Sequence, residues 1–199
     1  MSGALGGFVD LVATLGLCAL VSAIYGLILR HLPGCRLRGV VLGLLFGAAA
    51  TYAMAQATVY GEGVRIDARN VLMLLAAPIA GQTAGLVACL LAGSMRLALG
   101  GQGMWIGVVS IVLSSGIAAA FAADVRRPRN GYSVLHFAGL GLAGCVTGLL
   151  LLALPANTAY AASFLPLCAV KLIGTTGFGW LLSRQKPALP LALDPRPAA

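Results

Sequence analysis

Charged residues are scarce in this sequence. Only 9% of its 199 residues are charged and 60% are hydrophobic, whereas a soluble domain carries about 25% charged residues. A water-soluble fold could not cover so much apolar surface, so the composition excludes an ordinary soluble domain. Acidic residues are the rarest class, with five Asp and Glu against thirteen Lys and Arg. The basic residues lie in short clusters between apolar runs rather than on one polar face, which argues against nucleic-acid binding.

Motifs for chemistry are missing as well. The five cysteines have no paired spacing, and four of them fall inside apolar segments, so we expect neither a disulfide framework nor a metal site. The sequence contains no Walker motif, nucleophile elbow, His-Glu-x-x-His pattern or kinase signature. We therefore expect no cofactor and no enzymatic activity. No basic side chain precedes the first apolar run, so this run does not read as a cleaved signal peptide.

Long apolar runs fill most of the chain. A hydrocarbon core of about 30 Å requires roughly 20 apolar residues per helix, and the runs lack the alternation of barrel strands. The sequence predicts an all-α polytopic transmembrane helical bundle of about six helices, with residues 1–186 as one transmembrane domain and 187–199 as a short Pro-rich tail. The plainest runs are Phe8 to Leu29, Gly39 to Val59, Met104 to Ala123, Tyr132 to Leu154 and Thr158 to Leu182.

The segment 70–98 differs from the other runs. It is too long for one untilted span, and Pro78, Gly81 and Gly85 interrupt it. Proline and glycine disfavour a continuous helix, and the pieces 70–80 and 84–98 would be about 16 Å and 22 Å long. We predict two short helices that form a hairpin. The alternative is one span in a series of six plain spans.

The basic residues predict the topology, because short loops rich in Lys and Arg prefer the cytoplasm. With the hairpin, three basic clusters face the cytoplasm of a bacterial inner membrane, the N-terminus is outside and the C-terminus is cytoplasmic. The six-span alternative leaves the first cluster outside. The clusters are Arg30, Arg36 and Arg38; Arg126, Arg127 and Arg129; and Arg184, Lys186 and Arg196.

Candidate site residues flank the hairpin. It places Asp67 and Arg69 on the same outer face as Arg96, Gly100 and Gly101. One interpretation is a positively charged mouth that binds a small polar or anionic ligand from outside. The other is an ion pair that joins the hairpin ends, with the two glycines making a turn.

Lys171 is the sixth candidate site residue, because it lies near the centre of the last apolar run. Ionisable side chains at membrane depth usually face the bundle interior and mark functional pathways. A structural pair with Asp10 is the alternative. Small residues at helical spacing, such as Gly43 with Gly47, indicate close helix contacts, either within the chain or in a homodimer.

Several landmarks carry a family resemblance. At Asp67-Ala-Arg69, Arg96 and Gly100-Gly101, the sequence resembles the five-transmembrane receptor domain of the LytS/YhcK type. It departs from the family at the helical break, where Gly-Gly-Pro is common, and at Lys171, where a neutral amide is common.

The resemblance implies a membrane-embedded sensory input domain, usually joined at its C-terminus to a cytoplasmic histidine kinase or a cyclic-dinucleotide output domain. For this chain we expect action on a histidine kinase or other output protein in trans. It also implies a link to phosphorelay signalling and cell-wall organisation. The fold also resembles the substrate-binding subunits of energy-coupling-factor transporters, so the alternative function is a small-solute transport subunit. A scaffold with neither ligand nor flux is a third possibility.

Overall fold

The computed structural model describes residues 2–32, 36–56, 58–60, 64–66, 69–101, 104–125, 132–152 and 158–185. Within these ranges the chain forms seven helices and one antiparallel two-stranded hairpin, which confirms the all-α membrane bundle. The elements are α1 Ser2–His31, α2 Arg36–Ala55, β1 Thr58–Tyr60, β2 Val64–Ile66, α3 Arg69–Ala80, α4 Gln82–Leu99, α5 Met104–Asp124, α6 Val134–Leu152 and α7 Thr158–Arg184.

Several helices have the length and composition of membrane spans. Among the described residues, Leu37–Ala55, Gln82–Leu99 and Met104–Asp124 are long and apolar enough to cross a bilayer. Shorter apolar helices cover Gly16–His31, Arg69–Ala80 and Val134–Gly148. The protein is a multi-pass membrane protein.

Helix α3 is the centre of the bundle. It has 12 residues, a length of about 18 Å at 1.5 Å per residue, and all of them except Ala80 are buried. Helices α2, α4, α5, α6 and α7 all pack against it. The other helices of the bundle are also largely apolar, so the burial of α3 follows from the five helices that surround it rather than from its composition.

The break between α3 and α4 is a single residue, Gly81. Its φ of 97° lies in a region that glycine adopts at little cost and other residues avoid. A Cβ at Gly85 would lie 2.9 Å from the Cβ of Ala77, although eight residues of continuous helix would separate the two by about 12 Å. The chain therefore turns sharply at Gly81, and α3 and α4 pack against each other.

The far ends of α3 and α4 lie at the same end of the bundle. Asn70, in the first turn of α3, contacts Ser110 of α5. Arg96, in the last turn of α4, lies across Gly107, which is one turn away from Ser110 on α5. The two helices are therefore antiparallel, so the segment is a hairpin and not one plain span.

One detail of the predicted break in segment 70–98 is wrong. Pro78 and Gly85 do not break the helix: Pro78 lies inside the last turn of α3, where it removes only one hydrogen-bond donor, and Gly85 lies in the first turn of α4.

The apolar run that the sequence predicts to end at Val59 is also shorter than expected. Helix α2 ends at Ala55, and Val59 belongs to β1, because Thr-Val-Tyr followed by Gly-Glu-Gly favours a strand and turn.

A seam of small residues joins α2 to α4. Positions where a Cβ would meet α4 recur every four residues along α2, at Gly39, Gly43 and Gly47. Ala84 and Ala88 face them and are fully buried. Small residues at this spacing let membrane helices approach closely, and here they serve packing within the chain.

The bundle has a tip end, at Gly81, and a base end, at Arg69 and Arg96. Arg38 lies at the tip end, where it lines a cavity of about 310 Å³ together with Gly81 and with Tyr132, which precedes α6. Arg30 and Arg184 line a second cleft, between the C-terminal ends of α1 and α7. Arg30, Arg38 and Arg184 thus lie at the same end of the bundle, and which face of the membrane that end meets stays a prediction. Residues 126–131 and 186–199 lie outside the described ranges.

Candidate functional site at the base end

The hairpin brings Arg69 and Arg96 to one end of the bundle. Arg69 opens α3 and Arg96 lies in the last turn of α4, and each side chain is only 9% exposed. Two arginines that are 27 positions apart in sequence therefore belong to one buried region. Asp67, their predicted companion, lies outside the described residues.

Helix α5 supplies the floor under these arginines. The Arg96 stem lies across Gly107, so that a Cβ there would be 3.0 Å from Arg96 Cδ; only glycine leaves this path open. One turn further along α5, the Ser110 hydroxyl donates to Asn70 Oδ1 at 3.1 Å. Both Asn70 and Ser110 are buried, so this hydrogen bond fixes the start of α3 against α5.

Lys171 is buried between α6 and α7. Its side chain is 5% exposed, and Nζ donates to the Gly144 carbonyl at 3.1 Å and to Thr147 Oγ1 at 3.2 Å. Thr147 also donates to Gly144 at 2.7 Å. A Cβ at Gly148 would lie 3.0 Å from the Phe164 ring but 4.0 Å from Nζ, so the missing side chain there makes room for Phe164 rather than for the ammonium. The side chain of Asp10, the suggested structural partner, lies outside the described residues.

Packing of α7 against α3 fixes the depth of Lys171. Gly174 faces Val71, and Gly179 faces Leu75. Both pairs advance in the same direction along the chain, so α3 and α7 run parallel. Lys171, one turn before Gly174, therefore lies near the level at which α3 begins.

Gly100 and Gly101 form the turn from α4 to α5. Their φ angles are 61° and 90°, in the region that favours glycine. The Gly100 amide donates to the Leu97 carbonyl at 3.3 Å and closes α4. A Cβ on either glycine would meet nothing within 4 Å. Their conformation explains their presence, and the turn holds Arg96 close to the start of α5.

Cations predominate among the described buried charges near the base end. Among the described residues, the buried charged side chains are Arg69, Arg96 and Lys171, and all three are cations. The N-terminus of α3 adds a positive dipole end. Guanidinium and ammonium groups donate charge-assisted hydrogen bonds to acceptor oxygens. The arrangement is suited to binding an anion with hydrogen-bond acceptor atoms.

Four residues at this site were not predicted as site residues: Asn70, Gly107, Ser110 and Thr147. The recurrence of Ser110 and Ser114 four residues apart in an apolar helix is a signal that could have identified the inner face of α5. Thr147 is likewise a single polar residue in an apolar run, and Asn70 directly follows Arg69 at the start of one. Among the described residues, no group of His, Cys, Asp or Glu could hold a metal ion.

Comparison with known proteins gives a family. The family model described as the 5TMR domain of the 5TMR-LYT type matches residues 24–185, which include the C-terminal part of α1, helices α2 to α7 and the site at the base end. No curated protein and no solved structure matches the chain. The match covers most of the sequence, and its type agrees with the arginine and glycine landmarks. The chain therefore belongs to the 5TMR-LYT family, and it is a membrane sensory input domain of the LytS type.

Proposed function

We propose that the base-end site receives a small anionic or polar ligand from the outer face of a bacterial inner membrane. The observation that carries this proposal is the burial of three cations, with Arg69 and Arg96 at the base end and Lys171 near the level where α3 begins. Charge-assisted hydrogen bonds from such groups are about twice as strong as neutral ones. An anion would accept hydrogen bonds from these cations, and the positive dipole end at the start of α3 would attract it.

The hairpin offers a route for the signal to the tip end. Arg69 begins α3 and Arg96 ends α4, so a ligand between them would act on both arms of one rigid unit. At the tip, the Tyr25 hydroxyl donates to the Ile79 carbonyl at 3.3 Å, and Gln82 donates to the Ala119 carbonyl at 2.8 Å. A ligand shifts such a unit only if it binds two packing states with different affinities.

The output in this proposal is a histidine kinase or other output protein that works in trans. The domain itself is not an enzyme. Phosphorelay signalling linked to cell-wall organisation is the family role that we carry over as part of the proposal. An in-vivo test compares autolysis rates in a deletion strain complemented with wild-type chain or with Arg96→Gln; equal rates would contradict the cell-wall role.

Ligand binding can be tested on the purified full chain in nanodiscs. Thermal unfolding is measured with acetate, inorganic phosphate, glycine and glycerol as probes at constant ionic strength. We expect saturable stabilisation by at least one anion or by the zwitterion, and its loss in Arg69→Gln and Arg96→Gln. Arg38→Gln, which removes an arginine at the tip end, is the matched control. Equal responses in all three variants would refute the site.

Transport of a small solute is the second candidate. A helix broken inside the bundle is typical of transporter sites, and α3 is such a half-length, buried helix. Its break at Gly81, however, lies at the tip end rather than beside Arg69 and Lys171, so the geometry supports sensing better. Uptake of a bound probe into proteoliposomes would favour transport, whereas binding without uptake would favour sensing.

A further inference from the structure

A cleft of about 460 Å³ separates the C-terminal ends of α1 and α7 at the tip end. It is distinct from the base-end site and shares no residue with the cavity beside Gly81. The first and last helices of the bundle meet here, at the point where α7 ends. The lining residues are Ser22, Ala23, Gly26, Leu27, Arg30, Arg184 and Gln185.

The mouth of the cleft is cationic. Arg30 and Arg184 both line it and both are exposed. The acidic side chain that the structure does describe, Asp124, ends α5 and does not line the cleft. Guanidinium groups match the geometry of phosphate oxygens, and basic pockets between membrane helices bind anionic lipid headgroups.

The floor of the cleft is polar and closely packed. The Gln185 amide donates to Ser22 Oγ at 2.5 Å. Its other amide atom, Oε1, lies against Gly26, where a Cβ would be only 2.9 Å away. The absence of a side chain at Gly26 therefore lets Gln185 bridge the two helices below the arginines.

Apolar and aromatic groups continue the cleft toward the lipid. Leu27 is 54% exposed and Leu181, on the last turns of α7, is 45% exposed. The Arg184 guanidinium carbon lies 4.8 Å from the centre of the Trp180 ring. Tryptophan is enriched at the boundary between hydrocarbon and headgroups, so this cleft has the order of groups that a phospholipid presents, charged at the mouth and apolar at the side.

We propose that the cleft between α1 and α7 binds the headgroup of an anionic phospholipid of the phosphatidylglycerol class. The phosphodiester lies between Arg30 and Arg184, and the acyl chains run along Leu27 and Leu181. Because the lipid contacts both the first and the last helix, it ties the end of α7 to α1. The assignment does not depend on the base-end ligand.

The test uses the full chain in nanodiscs of phosphatidylcholine with increasing fractions of phosphatidylglycerol of the same acyl chains. Native mass spectrometry counts retained lipid, and thermal unfolding measures stabilisation. We expect wild type to retain phosphatidylglycerol selectively, and Arg30→Gln/Arg184→Gln to bind it about 30-fold more weakly, at roughly 1 kcal/mol per basic residue near the headgroups. Arg30→Lys/Arg184→Lys keeps the charge and should lose less.

Arg38→Gln is the control, because it removes one arginine from the same end of the bundle but from the other cavity. It should retain the lipid as wild type does. Equal loss in Arg38→Gln would show a diffuse surface effect and overturn the site. Unchanged retention in the double glutamine variant would overturn it too.

Two further outcomes would assign the cleft to another occupant. If soluble glycerol phosphate stabilised the chain as well as the lipid does, the ligand would not be a lipid. If the double glutamine variant lost a dimer while it still retained phosphatidylglycerol, the cleft would be an interface between two copies. Either result contradicts the proposal.

Discussion

Replacing Gly43 by alanine tests the close packing of α2 on α4. The added Cβ would lie 2.6 Å from Val87 Cβ, 2.8 Å from the Ala84 carbonyl oxygen and 3.0 Å from Ala84 Cα. Two of these neighbours are backbone atoms, so no rotamer change relieves the clash and the helices must separate. Overpacking of this kind costs about 1–3 kcal/mol, and the better helix propensity of alanine offsets up to about 1 kcal/mol. We expect a net loss of about 1–2 kcal/mol.

The same substitution at other glycines gives a graded control series. At Gly47 the nearest atom, 2.9 Å away, belongs to the flexible Leu91 side chain, and at Gly39 the closest atom is Thr83 Cβ at 3.2 Å. At Gly93 nothing lies within 4 Å. The free energy of unfolding, measured by SDS titration in mixed micelles, should therefore fall most for position 43, less for 47 and 39, and least for 93. If Gly43→Ala were as stable as Gly93→Ala, the α2–α4 geometry would be wrong.

Three further predictions concern the site and the topology. Gly107→Ala should weaken anion binding about tenfold or more, the cost of one displaced charge-assisted hydrogen bond, whereas Gly116→Ala on the same helix, with open space around it, should not; equal affinities would refute the path of the arginine stem. Lys171→Met should leave membrane insertion intact but abolish the thermal response to anions, and an unchanged response would remove this residue from the site. In a cysteine-free background, Arg36→Cys should react with an impermeant thiol reagent only from the cytoplasm and Leu99→Cys only from outside; labelling of both from one face would refute the hairpin.

The broken segment shows how far local sequence can specify this fold. A hairpin over residues 70–98 follows from length, from the breakers and from the placement of basic residues, and the structure has it. The sequence does not determine which of the three helix-disfavouring residues turns the chain. Gly81 turns the chain because, of these three residues, it is the one whose backbone takes a positive φ, while Pro78 and Gly85 are accommodated in the neighbouring turns of helix.

The candidate site was only partly visible for a related reason. Arg69, Arg96 and Lys171 stand out because ionisable residues are rare in apolar sequence. Their polar neighbours Asn70 and Ser110 do not, since a single amide or hydroxyl in a membrane helix has many explanations. They become part of the site through contacts between elements 40 positions apart.

The sequence by itself determined the class of this protein, because its long apolar runs and scarce charges permit only a helical membrane bundle. It also determined which end of each helix is basic. Tertiary structure alone decided that α3 is the buried centre, that Arg69, Arg96 and Lys171 are buried, and that α1 and α7 enclose an arginine-lined cleft. Those features depend on which helices pack together, and glycines such as Gly43, Gly107 and Gly26 permit that packing only against partners that the local sequence does not specify.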